Sequence, residues 1–213
     1  MTQLKHLVLP ALLLFLFSAC KKDKTEAPIV YPNYSQLKVG NYWIYERYDI
    51  DGNGVETASG IIDSCYIEKD TLINGYTYYK KVSPKIPINM QGNSFLRDSL
   101  HYTINSNGEI LFSSQNFTDT FKRYIVIGST DTAAIVIVKM GDKDLATLTP
   151  AGSFRTSSFK SIYYMSDNWD FAGAIRYVDV RYSENMGIVI EEFPFYLGGA
   201  IRTERRLLRY KVQ

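Results

Sequence analysis

The chain has 213 residues, of which 24 are Lys or Arg and 22 are Asp or Glu, so its formal net charge is only +2. Such a balance argues against nucleic acid as a partner, because binding to phosphates needs a concentrated basic face. The length suits a single domain that can bury enough apolar surface to fold without disulfide bonds.

The first twenty residues have the pattern of a bacterial secretory leader. Lys5 precedes an apolar run from Leu7 to Phe17, which is too short to cross a bilayer as a helix. Two small residues then precede Cys20, and the tetrapeptide FSAC resembles a lipobox, where a signal peptidase cuts before the cysteine and the thiol receives diacylglycerol. We therefore predict a signal peptide over residues 1–19 and lipidation at Cys20; an ordinary secretory leader is the alternative.

The segment 20–33 is predicted to be the lipidated cysteine followed by a charged, proline-containing tether, KKDKTEAPIVYP. Two or more acyl chains anchor a protein durably, so the membrane is an expected partner through this N-terminus. Lys21 does not match the inner-membrane retention signal of enteric bacteria. We expect attachment to the outer membrane, and the choice between its periplasmic face and the cell surface stays open.

The next part of the chain reads as strands joined by tight turns. Asn53-Gly54, Asn74-Gly75 and Asn107-Gly108 each join β-branched or aromatic runs, which is a strong hairpin signal and favours a meander of adjacent antiparallel strands. The first turn also resembles the start of an EF-hand loop, but Gly60 stands where a bidentate glutamate belongs, so calcium is the weaker alternative. Cys65, in the run IIDSCYIEK, is predicted to be a small buried apolar group without a disulfide partner.

The second half continues the β pattern. The runs RYIVIG and AAIVIVKM are nearly continuous in apolar residues, which predicts strands covered on both faces or lining an enclosed space. GIVIEEF and RTERRLLRYKV are predicted to close the chain as a hairpin around residues 197–199. We count about ten or eleven strands in one all-β domain over residues 34–213. A domain of that kind forms a single curved antiparallel sheet or an incomplete β-barrel; a closed lipocalin-like barrel is the alternative.

Five short segments of the mature chain carry a resemblance to known proteins. They are VGNYWIYE (Val39 to Glu46), EKDTLINGYTYYK (Glu68 to Lys80), LRDS (Leu96 to Ser99), TPAGSF (Thr149 to Phe154) and MGIVIEE (Met186 to Glu192). Together they resemble a group of Bacteroidota-type lipoproteins. The resemblance implies a curved antiparallel sheet, distantly like the unclosed barrels of periplasmic lipoprotein carriers, and it brings neither an agreed activity nor catalytic residues. No stretch after Cys20 has the period of a helix that could plug such a carrier.

Three Asp-Ser/Thr tripeptides also resemble the O-glycosylation motif of that phylum. They make Thr71, Ser99 and Thr132 candidate acceptors, with ordinary turn and strand residues as the alternative.

The sequence contains no catalytic signature, so we do not expect an enzyme or a cofactor. His101 is the only histidine after the leader, which excludes a His-based zinc site and argues against a Ser-His-Asp triad. Glu191 and Glu192 are adjacent on a strand, so they point to opposite faces and cannot act as a carboxylate pair.

Two functional hypotheses remain. The first is a binding module whose aromatic side chains hold a glycan or an apolar ligand such as a lipid, with Trp43, Tyr163, Tyr164 and Trp169 as candidate ligand-binding residues. The second is a structural or assembly lipoprotein that binds other envelope proteins through its edge strands or loops.

Overall fold

The structure is a computed structural model, and it describes residues 29–84, 92–128, 131–167, 173–193 and 202–213. The predicted signal peptide, Cys20, the hairpin turn at 197–199 and Trp169 lie outside these ranges. One compact body spans Tyr31–Gln213. Within the described ranges, no helix is long and apolar enough to cross a membrane.

The described residues form thirteen strands, all paired antiparallel in one sheet. This confirms the all-β prediction. The strands in chain order are β1 (Tyr42–Ile50), β2 (Glu56–Ile73), β3 (Tyr76–Val82), β4 (Asn93–Ser99), β5 (Tyr102–Asn105), β6 (Ile110–Ser113), β7 (Lys122–Ile127), β8 (Thr132–Met140), β9 (Leu145–Thr149), β10 (Gly152–Met165), β11 (Ile175–Ser183), β12 (Gly187–Phe193) and β13 (Arg202–Lys211).

Two features raise the number of strands above the ten or eleven expected. A turn at Leu100, whose φ is +55°, separates β4 from β5. The short strand β9 follows the apolar run AAIVIVKM, in a stretch for which the sequence predicted no strand.

The sheet is curved and open, and its opening lies between two strands that are neighbours in the sequence. The order is β6-β5-β4-β3-β2-β1-β13-β12-β11-β10-β8-β7, with β9 paired to β10. The first and last strands pair with each other, from Tyr42 with Lys211 to Ile50 with Arg202. The two ends of the sheet, β6 and β7, do not pair within the described residues, so the alternative of a closed barrel is wrong.

Side chains rather than a strand ladder link the two ends of the sheet. Lys122 at the start of β7 forms an ion pair with Glu109, just before β6. The backbone N–H of Ser113 on β6 donates to the sulfur of Met140 on β8, over 3.3 Å. These contacts explain how the sheet curls around a core while its edges stay unpaired.

The three Asn-Gly turns are present, but only one has both residues in the left-handed region. Asn74 and Gly75 have φ values of +50° and +81°, as a two-residue hairpin turn requires. In the first turn, the carboxylate of Asp51 accepts hydrogen bonds of 2.8 Å from the backbone N–H groups of Asn53 and Val55. The carboxylate of Asp51 therefore stabilises the turn by binding its backbone N–H groups.

An extended N-terminal segment packs against the curved sheet. The ring of Tyr34 lies 4.7 Å from that of Phe112 on β6, and the backbone oxygen of Asn33 accepts a hydrogen bond from Asn185 in the β11–β12 turn. The side chain of Asn41 accepts from the backbone N–H of Gln213. The compact body thus begins at Tyr31, three residues before the domain boundary predicted from the sequence.

Candidate functional site: a charged cavity inside the sheet

A cavity of about 200 Å³ opens between strands from both halves of the sheet. Most of its wall is apolar, with Leu96, Phe159 and Val180 among the lining residues, and Ser83 and Ser94 add polar groups. An engineered apolar cavity of about 150 Å³ can hold benzene, so this space is large enough for a small organic molecule.

Three charged side chains meet in the wall of this cavity. They come from three different strands: Lys81 from β3, Glu191 from β12 and Arg205 from β13. Alternation along each strand explains their inward direction, because Glu191 shares its face with the buried Val189 and Phe193. We call these three residues the interior charge cluster.

Arg205 and Glu191 form the fixed part of the cluster. The Nε of Arg205 donates to Oε2 of Glu191 over 2.9 Å, and its Nη2 contacts the same oxygen. The guanidinium also lies 4.7 Å from the ring centre of Tyr45 and 5.6 Å from that of Phe193. Two aromatic rings and a carboxylate thus hold one cation that is only 3% exposed.

Burial and mutual charge act in opposite directions on these groups. Burial alone would raise the pKa of Glu191, but the charges of Arg205 and Lys81 and the hydrogen bond from Arg205 outweigh it and hold that pKa below its usual value. For Lys81, burial against the cavity wall is the largest influence, and it lowers the pKa of the ammonium. Glu191 therefore stays ionised, while the charge on Lys81 is costly and incompletely balanced.

One nitrogen of this cluster has no partner. Among the described residues, Nη1 of Arg205 is buried and makes no hydrogen bond. The cluster contains two cations and one carboxylate, so one positive charge faces the cavity uncompensated. Buried charges are normally paired, and an anion is the kind of group that would pair with this one.

Cys65 lies beside the cluster, and it is buried and free, as the sequence predicted. Its side chain is fully buried and free, in a core cluster with Trp43, Tyr45 and Leu207. The hydroxyl of Ser83 donates to its sulfur over 3.2 Å. The prediction of a small buried apolar group is confirmed.

The structure separates the aromatic residues that the sequence nominated as a ligand surface. Trp43 belongs to the core cluster of β1, β2 and β13, and Tyr163 to a second cluster around Val136 on β8. Tyr164 points to the opposite face from Tyr163 and is exposed. The described members of the set do not share one surface, although Trp43 borders the cavity region with its ring 6.0 Å from Nζ of Lys81.

The remaining candidates have ordinary surroundings. His101 accepts or donates through Nδ1 to the hydroxyl of Ser113 at 3.0 Å. Glu192 faces away from Glu191 and accepts from the backbone N–H of Asp179, so the prediction that the two glutamates point apart is confirmed. The candidate glycosylation residues Thr71, Ser99 and Thr132 are all half-buried, and their modification stays a prediction. Within the ranges that the structure covers, no group of three or more His, Cys, Asp or Glu residues could hold a metal ion.

Sequence reasoning missed Lys81 and Arg205 because they lie in lysine-rich and arginine-rich stretches that suit solvent-exposed strands. The phase of the charged residues along their strands was a signal in the sequence that could have found the cluster. Arg205 is in phase with Leu207, and Glu191 with Val189, so each charge occupies a position of the buried face.

Comparisons with known proteins give two matches among solved structures. No protein-family model and no curated protein matches the chain. A Bacteroides fragilis protein, provisionally described as exported with a YmcC-like fold, is 14% identical with a TM-score of 0.49, over 84% of this chain and 99% of that one. A provisionally described lipoprotein of Parabacteroides distasonis is 14% identical with a TM-score of 0.42, over 86% of this chain and all of the other. At these identities and TM-scores, neither match assigns a family or a function to this chain.

Proposed function

We propose that the protein is a lipid-anchored lipoprotein of the outer membrane, without catalytic activity, that binds a small ligand carrying one acidic group and an apolar part. The leader and Cys20 support the anchored location. The cavity supports the ligand, and the unpartnered, buried Nη1 of Arg205 beside it is the observation that carries the proposal. A carboxylate or phosphate monoanion at this nitrogen would balance the charge of Lys81, while the apolar wall would take the rest of the molecule.

Replacing Lys81 with methionine should remove the binding of an acidic ligand without unfolding the protein. The remaining pair, Arg205 and Glu191, is neutral, so the charge that attracts an anion is gone. The fold should persist, because the ammonium of Lys81 is desolvated and its removal also removes that cost. We expect octanoate to raise the melting temperature of the wild type, and its apparent affinity to fall at least tenfold in the variant. Thermal shift against ligand concentration, followed by calorimetry, measures both.

The neighbouring lysine provides a matched control for that variant. Lys80 lies on the other face of β3 and pairs with Glu68 over 2.7 Å, so Lys80→Met should bind octanoate as the wild type does. Octan-1-ol has nearly the same shape without the charge and should stabilise the protein much less. Equal stabilisation by the alcohol, or none by either compound, would contradict an acidic ligand in this cavity.

The anchored location is tested separately at Cys20. Cys20→Ala removes the thiol that would carry the lipid, so the exported chain should leave the membrane fraction and its N-terminus should show no acyl mass. Intact-mass measurement and carbonate-washed membrane fractionation check this result. If the variant sediments with washed membranes as fully as the wild type does, the anchor proposal is wrong.

A further inference from the structure

Four strands next to the open edge carry apolar side chains on the face that points away from the core. The register places Ile125 beside Ile135, Ile135 beside Tyr164, and Tyr164 beside Ile175. We use the name outer apolar face for the exposed members of this area, which are Ile125, Ile127, Tyr164, Ile175 and Tyr177.

This face is not an ordinary solvent face. Ile125 and Ile127 are 58% and 65% exposed, although a half-exposed antiparallel strand normally carries polar residues there. For β7 and β8, the nearly continuous apolar sequence predicted strands covered on both faces or lining an enclosed space, and within the described residues only the inner face is covered. A contiguous exposed apolar area of this kind marks a contact surface.

Charge at the border of the face indicates the chemistry of its partner. Further along the same face of these strands lie Arg123 on β7, Lys139 on β8 and Lys160 on β10, the two lysines in register with each other. Lys160 approaches Asp142 at 3.3 Å, whereas Arg123 and Lys139 form no ion pair with any described residue. Isoleucines bordered by tyrosines and unpaired basic side chains match the layers of an anionic lipid surface, where aromatic rings occupy the interface and cations meet the headgroups.

The predicted anchor can bring this face to a membrane. Eleven positions separate Cys20 from Tyr31, and a chain of that length extends about 35–40 Å. The backbone of Asn33 is held at the β11–β12 turn, and β11, whose far end carries Ile175, has 9 residues and a length of about 30 Å. The tether is therefore long enough to reach the lipid plane when the face lies on it.

We infer that the outer apolar face lies against the lipid leaflet that holds the anchor, so that the domain has a fixed orientation on the membrane. This inference rests on the anchored location in the proposed function, but it is independent of the interior cavity.

The test places a tryptophan in the face of the full acylated chain. Ile127→Trp is compared with Leu72→Trp, a 72% exposed residue on β2 outside this face. Both proteins are reconstituted in vesicles of phosphatidylglycerol and brominated phosphatidylcholine, because bromine quenches a tryptophan that enters the acyl region. The wild-type chain is measured in the same vesicles, so that the signal of its two tryptophans, Trp43 and Trp169, can be subtracted. We expect at least twofold stronger quenching for Ile127→Trp, and Arg123→Gln with Lys139→Gln should reduce it in anionic vesicles but not in neutral ones.

The outcomes separate failure of the face from failure of the anchor. A chain that stays with the vesicles while both tryptophans are quenched equally overturns the inference and leaves the anchor intact. The tryptophan of Ile127→Trp could instead be protected from quenching, with a protection that disappears when the protein is diluted at constant lipid. That result identifies a second copy as the partner of the face and also overturns the inference. A chain that does not stay with the vesicles at all refutes the anchored location, and this inference with it.

Discussion

Arg205→Met is expected to lower the free energy of unfolding by about 3 kcal/mol, because it leaves the carboxylate of Glu191, whose side chain is 22% exposed, without its main partner in the cavity wall. The rings of Tyr45 and Phe193 also lose their contacts with the guanidinium of Arg205. Urea unfolding at neutral pH, followed by tryptophan fluorescence and circular dichroism, measures the loss.

The same substitution makes a prediction about pH. In the wild type the pKa of Glu191 is lower in the folded than in the unfolded chain, so its stabilising contribution is present above the ordinary glutamate pKa and disappears as the pH falls through the folded value. In Arg205→Met, the carboxyl of Glu191 can take up a proton as the pH falls, which removes the penalty of its unpaired charge. The difference in stability between the two proteins should therefore shrink in acid.

Two control variants separate burial from simple loss of a charge pair. Lys122→Met breaks an ion pair with Glu109 in which both side chains are largely exposed, so it should cost about 1 kcal/mol or less. Glu191→Met combined with Arg205→Met removes both charges and should recover most of the lost stability, since apolar replacements of buried pairs are often neutral. A loss below about 1 kcal/mol for Arg205→Met, or no recovery in the double variant, would show that the pair is not buried as described.

The features that could be predicted from the sequence are those that depend on neighbouring residues. Asn74-Gly75 specifies a turn by its own backbone preferences, and alternation along a strand places Cys65 inside and separates Glu191 from Glu192. Local patterns of this kind were sufficient for the all-β class and for most strand positions.

The features that could not be predicted depend on distant pairings. Nothing local shows that β1 pairs with β13 while β6 and β7, joined by a short connection, are left as the two edges of the sheet. The interior charge cluster depends on that closure, because Lys81 comes to the cavity from one side of β1 and Arg205 and Glu191 come from the other. Tyr163 and Tyr164 illustrate the same limit, since alternation says that they point apart but not which of them faces the core.

Trp43→Ala is expected to cost about 3–5 kcal/mol of stability, the range found when a large buried side chain is truncated. Trp43 is 2% exposed, and its Nε1 donates over 2.7 Å to the backbone oxygen of Met186, which would lose its partner. Trp43→Phe keeps the apolar packing and loses the hydrogen bond, so it should cost about 1–2 kcal/mol. The exposed neighbour Tyr42 is the control, and Tyr42→Ala should change the free energy of unfolding by about 0.5 kcal/mol or less.

A double-mutant cycle with Gly187 shows whether Trp43 acts through packing. A Cβ at Gly187 would approach the indole carbons to 3.3 Å, and the residue has φ +91°, so Gly187→Ala carries both a steric and a backbone cost. In Trp43→Ala the steric part disappears while the backbone part, about 1–2 kcal/mol, remains. The cost of Gly187→Ala should therefore be smaller in the Trp43→Ala background than in the wild type. Strictly additive costs would mean that the indole does not press on this turn and that Trp43 stabilises the protein through its other contacts.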